Sequence, residues 1–477
     1  LFHQLSSNLE AQMTALTLAY LVYFIASGLM FWRLPTTTAI LVCFFGGWLL
    51  LPVGNYPLVD DLEVFTWWIT GLAIPSEVAL NKAWVVSVCC TLFSVVYDGG
   101  KLRTFRPAVL DVLMVLWCLL PIGSGAIGNA PNPSAVTTSM LLFGGWGLPW
   151  ILGRIWFSTA DAQLAFLKAC AWSGVACLPL VLIEGIGGYS VYTPLYGLHP
   201  FHADGFDRYL GFRPIGFFEN GNQYGIWVCL SAFSAIWLVV SQRKIGSGNL
   251  AIWIALLCCA IAALAQSIGA IMLLLAGLAI LMFWHNRGLM PLVLGGVGLL
   301  AVMAALHLSG ILPLEYIARE TKIGQMLIEG FRSIGRGSFL WRFSQDIKAM
   351  QVLDNALLLG TSQWDWWRTS GTRPWGLWLL VIGQFGLVGF VLSYGTLMAS
   401  GLKAMLDSSG TSGWSPCNVA LPLAIIVGLT LLDSLLNAFL YFPALIAAGA
   451  IVSRQVKGTS VTDVRCLVPA FDGSDQG

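Results

Sequence analysis

The sequence predicts an all-α membrane protein, a bundle of about 12 to 13 transmembrane helices with two long loops on its exterior face. Three observations predict it. Of the 477 residues, 57% are hydrophobic and only 10% charged, and mean hydropathy is +0.79; a soluble domain carries about 25% charged residues. Apolar stretches close to the roughly 20-residue span length recur along the whole chain. One long polar segment, Ser309–Trp375, interrupts them and holds 14 of the 47 charged residues, eight basic and six acidic.

In order, the apolar stretches are residues 12–32, 37–53, 83–97, 107–122, 138–157, 164–183, 222–240, 250–265, 267–284, 289–308, 376–398, 418–435 and 438–453. A further stretch at 65–80 contains Pro75 and Glu77 beside Trp67 and Trp68, which suits the membrane interface. The chain therefore divides into N-terminal transmembrane helices (1–183), a first long loop (184–221), central helices (222–308), a large cap loop with short helices (309–375), C-terminal helices (376–453) and a polar tail (454–477). The cap loop is rich in Trp, Arg and Phe and poor in the Ser/Pro/Glu mixture of disorder, so it reads as folded. No basic region precedes the first apolar run, as a secretory leader would require. The 11 cysteines are scattered, mostly inside apolar runs, where they act as small hydrophobes; neither a disulfide framework nor a zinc spacing emerges.

Positive charge orients the bundle. With alternating spans, Arg33, Lys101, Arg103, Arg106, Arg154, Arg243, Lys244, Arg287, Lys403, Arg454 and Lys457 share one side. That side, with the C-terminus, is expected to be cytoplasmic. The opposite short loops nearly lack Lys and Arg, and 123–137 carries no charge at all. Both long loops then lie outside, where chemistry needs an activated substrate carried by the membrane. A net charge of +1 gives no pull toward nucleic acid, and the expected surroundings are the lipid bilayer.

The first loop ends in Arg208-Tyr-Leu-Gly-Phe-Arg213-Pro-Ile-Gly216-Phe-Phe-Glu219-Asn220-Gly221-Asn222-Gln-Tyr-Gly225. Its glycines allow close backbone approach. Asn220 or Asn222 can cap the following helix, whose N-terminus then presents free N–H groups and partial positive charge. With Arg213 just ahead, this is a candidate diphosphate cradle; an ordinary Gly-Asn loop with an interfacial arginine is the plain alternative. His199 and His202 stand beside Asp204 and Asp207. They read as hydrogen-bonded loop residues, with His202 also a candidate base. Glu184, Asp433 and Asn437 lie near span ends, and intramembrane carboxylates are functional candidates by default.

The cap loop contains Arg332, Arg336 and Arg342 and an amphipathic stretch where Phe339, Phe343, Ile347 and Met350 share one helical face. Arg342, Gln345 and Lys348 look elsewhere. Trp364, Trp366, Trp367 and Trp375, with Arg368 and Arg373 among them, suit either an interfacial belt or a sugar-stacking platform.

The pattern resembles the O-antigen ligase / O-antigen polymerase superfamily of inner-membrane glycosyltransferases, over roughly 205–390. Three places carry the resemblance. Arg213-Pro-Ile-Gly-Phe-Phe-Glu-Asn-Gly-Asn222 is similar to the family's arginine followed by Gly-x-Phe-x-x-x-Asn at a span start. Gly335-Arg336-Gly-Ser-Phe-Leu-Trp341, followed by Leu357–Gly360, is similar to its Gly-Arg…Trp helix start and Leu-Leu-Gly turn. Trp375 to Gly389 is similar to its His-Asn-x9-Gly-x-x-Gly, with Trp375 in the histidine's place.

The resemblance implies a GT-C-like bundle in a bacterial inner membrane with both long loops periplasmic. The implied donor is a glycan on polyprenyl diphosphate, the acceptor a glycan or lipid A-core-type hydroxyl, and neither metal nor cofactor is needed. Arg213, Arg336, Arg342 and Arg373 would hold the diphosphate, and Trp364, Trp366, Trp367 and Trp375 the sugars. Arg213 would also act on the departing charge. Because Trp375 replaces the histidine, either His202 or Glu219 serves as base, or the chain is a polymerase or another glycan transferase. A lipid-linked glycan transporter and a non-catalytic envelope scaffold are the readings from other classes.

Overall fold

The computed structural model describes residues 2–53, 81–125, 134–197, 199, 207–208, 211–243, 249–283, 321–333, 339–353, 356–371, 374–409 and 418–453, with isolated positions between 292 and 320. Among them the chain is helical almost throughout. The described strands are one short antiparallel pair, Asp207–Arg208 with Gly211–Phe212.

Twelve apolar helices match twelve of the thirteen expected stretches; 289–308 and 65–80 lie outside the continuously described residues. The helices are α1 (Phe2–Arg33), α2 (Thr36–Leu50), α3 (Lys82–Asp98), α4 (Val109–Gly125), α5 (Ala135–Trp156), α6 (Ala160–Ile186), α7 (Gly221–Val240), α8 (Leu250–Leu264) and α9 (Ile268–Phe283). After the cap-loop helices α10 (Lys322–Ser333) and α11 (Phe339–Met350) come α12 (Leu377–Ala404), α13 (Ala420–Ser434) and α14 (Pro443–Val452). Six of the segments are long and apolar enough to cross a membrane, the shorter six running 10–17 residues. On α1, Leu18, Leu21, Val22, Ile25 and Leu29 recur at helical spacing and are all exposed. That is the face of a helix whose solvent is lipid, and the chain is a multi-pass membrane protein.

Local sequence sets the boundaries. Asn81, Ser134 and Thr159 cap α3, α5 and α6 by accepting the N–H of Trp84, Thr137 and Ala162, the role short polar side chains take at helix starts. Pro443 opens α14, so that helix starts five residues later than the hydropathy of 438–453 implies. In the other direction, a wide turn over Val181–Ile186 carries α6 past the expected limit at 183. Where α5 meets α14, a side chain on Gly153 would overlap the Ile446 carbonyl, and one on Gly449 the Trp150 carbonyl. Glycine lets these backbones approach as membrane helices without a hydrophobic drive must.

The core is organised round α7, buried along nearly its whole length and packed by α6, α8, α9 and α13. Its first residue marks one end of the bundle. The other end holds a buried ion pair. Arg154 donates from Nε to Asp111 Oδ1 at 2.7 Å and from Nη2 to Oδ2 at 2.8 Å, while Trp150 donates to the same carboxylate at 2.8 Å. The Arg106 carbonyl and the Ser453 hydroxyl complete the guanidinium's shell.

Candidate functional site

The site is built where α7 begins. Glu184, in the last turn of α6 and 1% exposed, accepts three backbone N–H groups: Val191 at 2.9 Å, Ile215 at 2.7 Å and Gly216 at 2.7 Å. A buried carboxylate satisfied in this way is a staple; it clamps both ends of the first loop to α6. Gly216 has φ +58°, and a side chain there would collide with Leu180, so the turn that aims Arg213 at α7 needs glycine.

Arg213 is 4% exposed. Its guanidinium lies across Gly221, where any Cβ would overlap it, and Nη2 donates to Asn222 Oδ1 at 2.7 Å. Asn220 is the cap, accepting the N–H of Asn222 and Gln223. The two asparagines thus divide the expected roles, Asn220 closing the helix and Asn222 meeting the arginine. A fixed cation and the positive end of a 20-residue helix coincide, a combination that favours an anion.

Beyond Asn222 a polar chain leads into the bundle. Asn222 Nδ2 donates to Asn437 Oδ1 at 3.4 Å, and Asn437 Nδ2 donates to Asp433 Oδ1 at 2.7 Å. The Asn437 carbonyl also accepts the N–H of Leu377 at 3.1 Å, and Trp378 Nε1 donates to the Leu435 carbonyl at 3.1 Å. The start of α12, two residues after Trp375, is therefore seated against the end of α13 and joined to α7.

Lys82 is the residue the sequence concealed. Standing at the start of α3, it is fully buried. It donates to the Phe217 carbonyl and lies over the rings of Trp48 and Phe218 at 4.8 and 5.2 Å, a geometry that offsets part of its desolvation. Glu219, 1% exposed, acts on it electrostatically. The signal available was a lysine directly after an N-cap asparagine and before an apolar run, which equally describes a snorkelling end residue.

His199 is buried and 2.9 Å from the Phe218 carbonyl, in edge contact with Tyr192; it is a hydrogen-bonded loop residue as expected. Burial pushes the Tyr192 and Tyr196 phenols up, so both remain protonated, and Tyr196 donates to the Leu50 carbonyl at 3.1 Å. These aromatics fasten the loop to the end of α2.

The cap loop contributes a second feature. α12 is broken at Gly386, with φ +70° and ψ −176°. Residues 357–362 fill the break: Thr361 and Ser362 N–H donate to the carbonyls of Gly383 and Gln384, and Leu387 and Val388 N–H to those of Leu357 and Leu358. Gly386 lies nine residues into the helix, about 14 Å from its start at 1.5 Å per residue. Irregular backbone at such depth needs protein partners, and the Leu-Leu-Gly segment supplies them.

The tryptophans of the cap loop differ in exposure. Trp366 and Trp367 are 5% and 2% exposed, and Trp366 packs on Gly383. They are core side chains rather than an open stacking platform, because the glycine opposite makes room for the ring. Trp364 and Trp375 are half-buried, and Trp364 stacks with Arg368. On α11, Gln345, Asp346 and Ala349 are buried while Ile347 is half-buried, so the inward face is rotated from the 343/347/350 stripe. His202, Arg336 and Arg373 lie outside the described residues. So does the side chain of Arg342, whose backbone belongs to α11. The chain matches no family model, no curated protein and no solved structure.

Proposed function

We propose that the chain is an O-antigen ligase-like membrane glycosyltransferase, which transfers a glycan from polyprenyl diphosphate to an acceptor hydroxyl at the periplasmic face of a bacterial inner membrane. The observation that carries the reading is the guanidinium of Arg213 laid across the N-terminus of α7. As the sugar–phosphate bond breaks, charge builds on the leaving diphosphate, and donors fixed in place stabilise it. Arg336, Arg342 and Arg373 would join Arg213 from the cap loop, Trp364 and Trp375 would stack on sugar, and Glu219 or His202 would take the hydroxyl proton. The C-terminus and the Lys/Arg-rich loops would be cytoplasmic, in keeping with the positive-inside asymmetry. Because Arg213 is buried, donor binding requires that its cover open.

The test is Arg213→Ala in cells, with membrane insertion checked. Glycan transfer should be abolished at normal protein level, and wild-type surface polysaccharide in that variant would refute the reading. A deletion strain separates ligase from polymerase of the same superfamily: long chains retained on the lipid carrier mark a ligase, single repeat units a polymerase. The break at Gly386 favours a second reading, a lipid-linked glycan transporter, since discontinuous helices line transport sites. Flux of a lipid-linked sugar across vesicles without bond formation would select it.

A further inference from the structure

We propose that Asp433 is a positioning residue for Arg213, acting through Asn437 and Asn222. The inference rests on the reading of Arg213 as the anion-binding group. Asp433 lies in the last turn of the apolar helix α13 and is 7% exposed, a place where a carboxylate is costly and marks a role. Its described side-chain bond is to Asn437 Nδ2 at 2.7 Å.

The chain of bonds has a direction. A carboxylate only accepts and a guanidinium only donates, whereas an amide does both through different atoms. With Asp433 at one end, Asn437 turns its NH2 toward the carboxylate and its oxygen toward Asn222. Asn222 in turn offers NH2 to Asn437 and oxygen to Arg213. The two charged ends thus fix the orientation of both amides, and the outcome is an oxygen presented to Arg213 Nη2. The longest link, 3.4 Å between Asn222 and Asn437, is the weakest. It joins α7 to the turn that also holds the first N–H of α12.

The spacing by two amides matters for the charge. At the other end of the bundle Asp111 takes the fork of Arg154 directly. Here the carboxylate orients the arginine from a distance and leaves a neutral amide at its side.

The test uses the purified full-length chain in detergent and farnesyl diphosphate as probe, with binding read by native mass spectrometry. Farnesol, the same tail without charge, separates tail from headgroup. Asp433→Asn, nearly isosteric, should weaken farnesyl diphosphate binding about tenfold, leaving farnesol binding and the melting temperature unchanged. The double variant Asp433→Asn/Asn437→Asp moves the carboxylate one step along the chain and restores the direction. It should recover binding to within about twofold of wild type.

Wild-type binding in Asp433→Asn, or a double variant no tighter than the single, overturns the inference. Both outcomes leave the reading of Arg213 standing if Arg213→Ala abolishes probe binding. Equal binding by wild type and Arg213→Ala overturns both.

Discussion

Among the described residues two arginines are buried, one near each end of the bundle, and they are held in different ways. Arg154 meets the carboxylate of Asp111 through two parallel bonds, with a hydroxyl and a carbonyl on its remaining edge. Arg213 meets a side-chain amide, lies against the positive end of a helix, and relates to its carboxylate through two intervening residues. The first arrangement neutralises its cation where it stands and fastens α4, α5 and the end of α14 together. The second sets its cation against the positive end of a helix at a span start. The difference teaches that two equally buried arginines can be seated by different chemistry, one by a carboxylate fork and the other by an amide at a helix start.

The largest effect is expected at the structural end. Asp111→Ala strands the Arg154 guanidinium in a buried place, which costs about 3–5 kcal/mol. Thermal unfolding of the purified protein in detergent should show a large fall, mostly reversed in Asp111→Leu/Arg154→Met, because an apolar pair of similar volume removes the desolvation as well as the attraction. Arg213→Ala should unfold closer to wild type. If it falls as far as Asp111→Ala, the contrast between the two arginines fails.

A smaller effect is expected where the cap loop enters α12. Gly386→Ala places a side chain at φ +70° and against the Leu358 carbonyl. The conformation alone costs on the order of 1–3 kcal/mol. The collision should also lift residues 357–362 out of the break and strip four backbone bonds. A cysteine introduced at Leu359, half-buried in the docked loop, and alkylated with a membrane-impermeant maleimide should react several times faster in Gly386→Ala than in the otherwise unchanged chain. Unchanged labelling would mean that the loop stays docked without this glycine.

The architecture was legible because lipid leaves few choices: a backbone that must satisfy its own hydrogen bonds forms helices wherever an apolar run is long enough. The placement of Arg213 against the start of α7 was legible for a local reason, since cap asparagine, glycine and arginine fall within ten residues. What joins that helix start to the rest was not. Lys82 and Phe217 are 135 positions apart, and Asn222 and Asn437 are 215 apart. No periodicity links such pairs. Trp366 and Trp367 were not legible as core side chains, because amphipathic rings suit a core, a belt and a sugar platform equally. Only the glycine facing Trp366 decides between them.

The smallest stability change is expected at Lys82, where two terms oppose. Lys82→Met removes an ammonium from a fully buried place, relieving a desolvation penalty of several kcal/mol that its partners offset only in part. The same change leaves the Phe217 carbonyl without its donor and Glu219 without its nearby positive charge, each a loss of about 1–3 kcal/mol. Methionine keeps the length and contact with the Trp48 and Phe218 rings. The terms nearly cancel, and the melting temperature should stay within a few degrees of wild type, far from the fall in Asp111→Ala. Function should not stay, because Phe217 and Glu219 lie between Arg213 and the start of α7. Loss of the lysine bond frees that segment to shift, so farnesyl diphosphate binding should weaken while farnesol binding holds. A variant that loses stability as Asp111→Ala does, with probe affinity intact in the folded fraction, would move Lys82 to the structural side of the comparison.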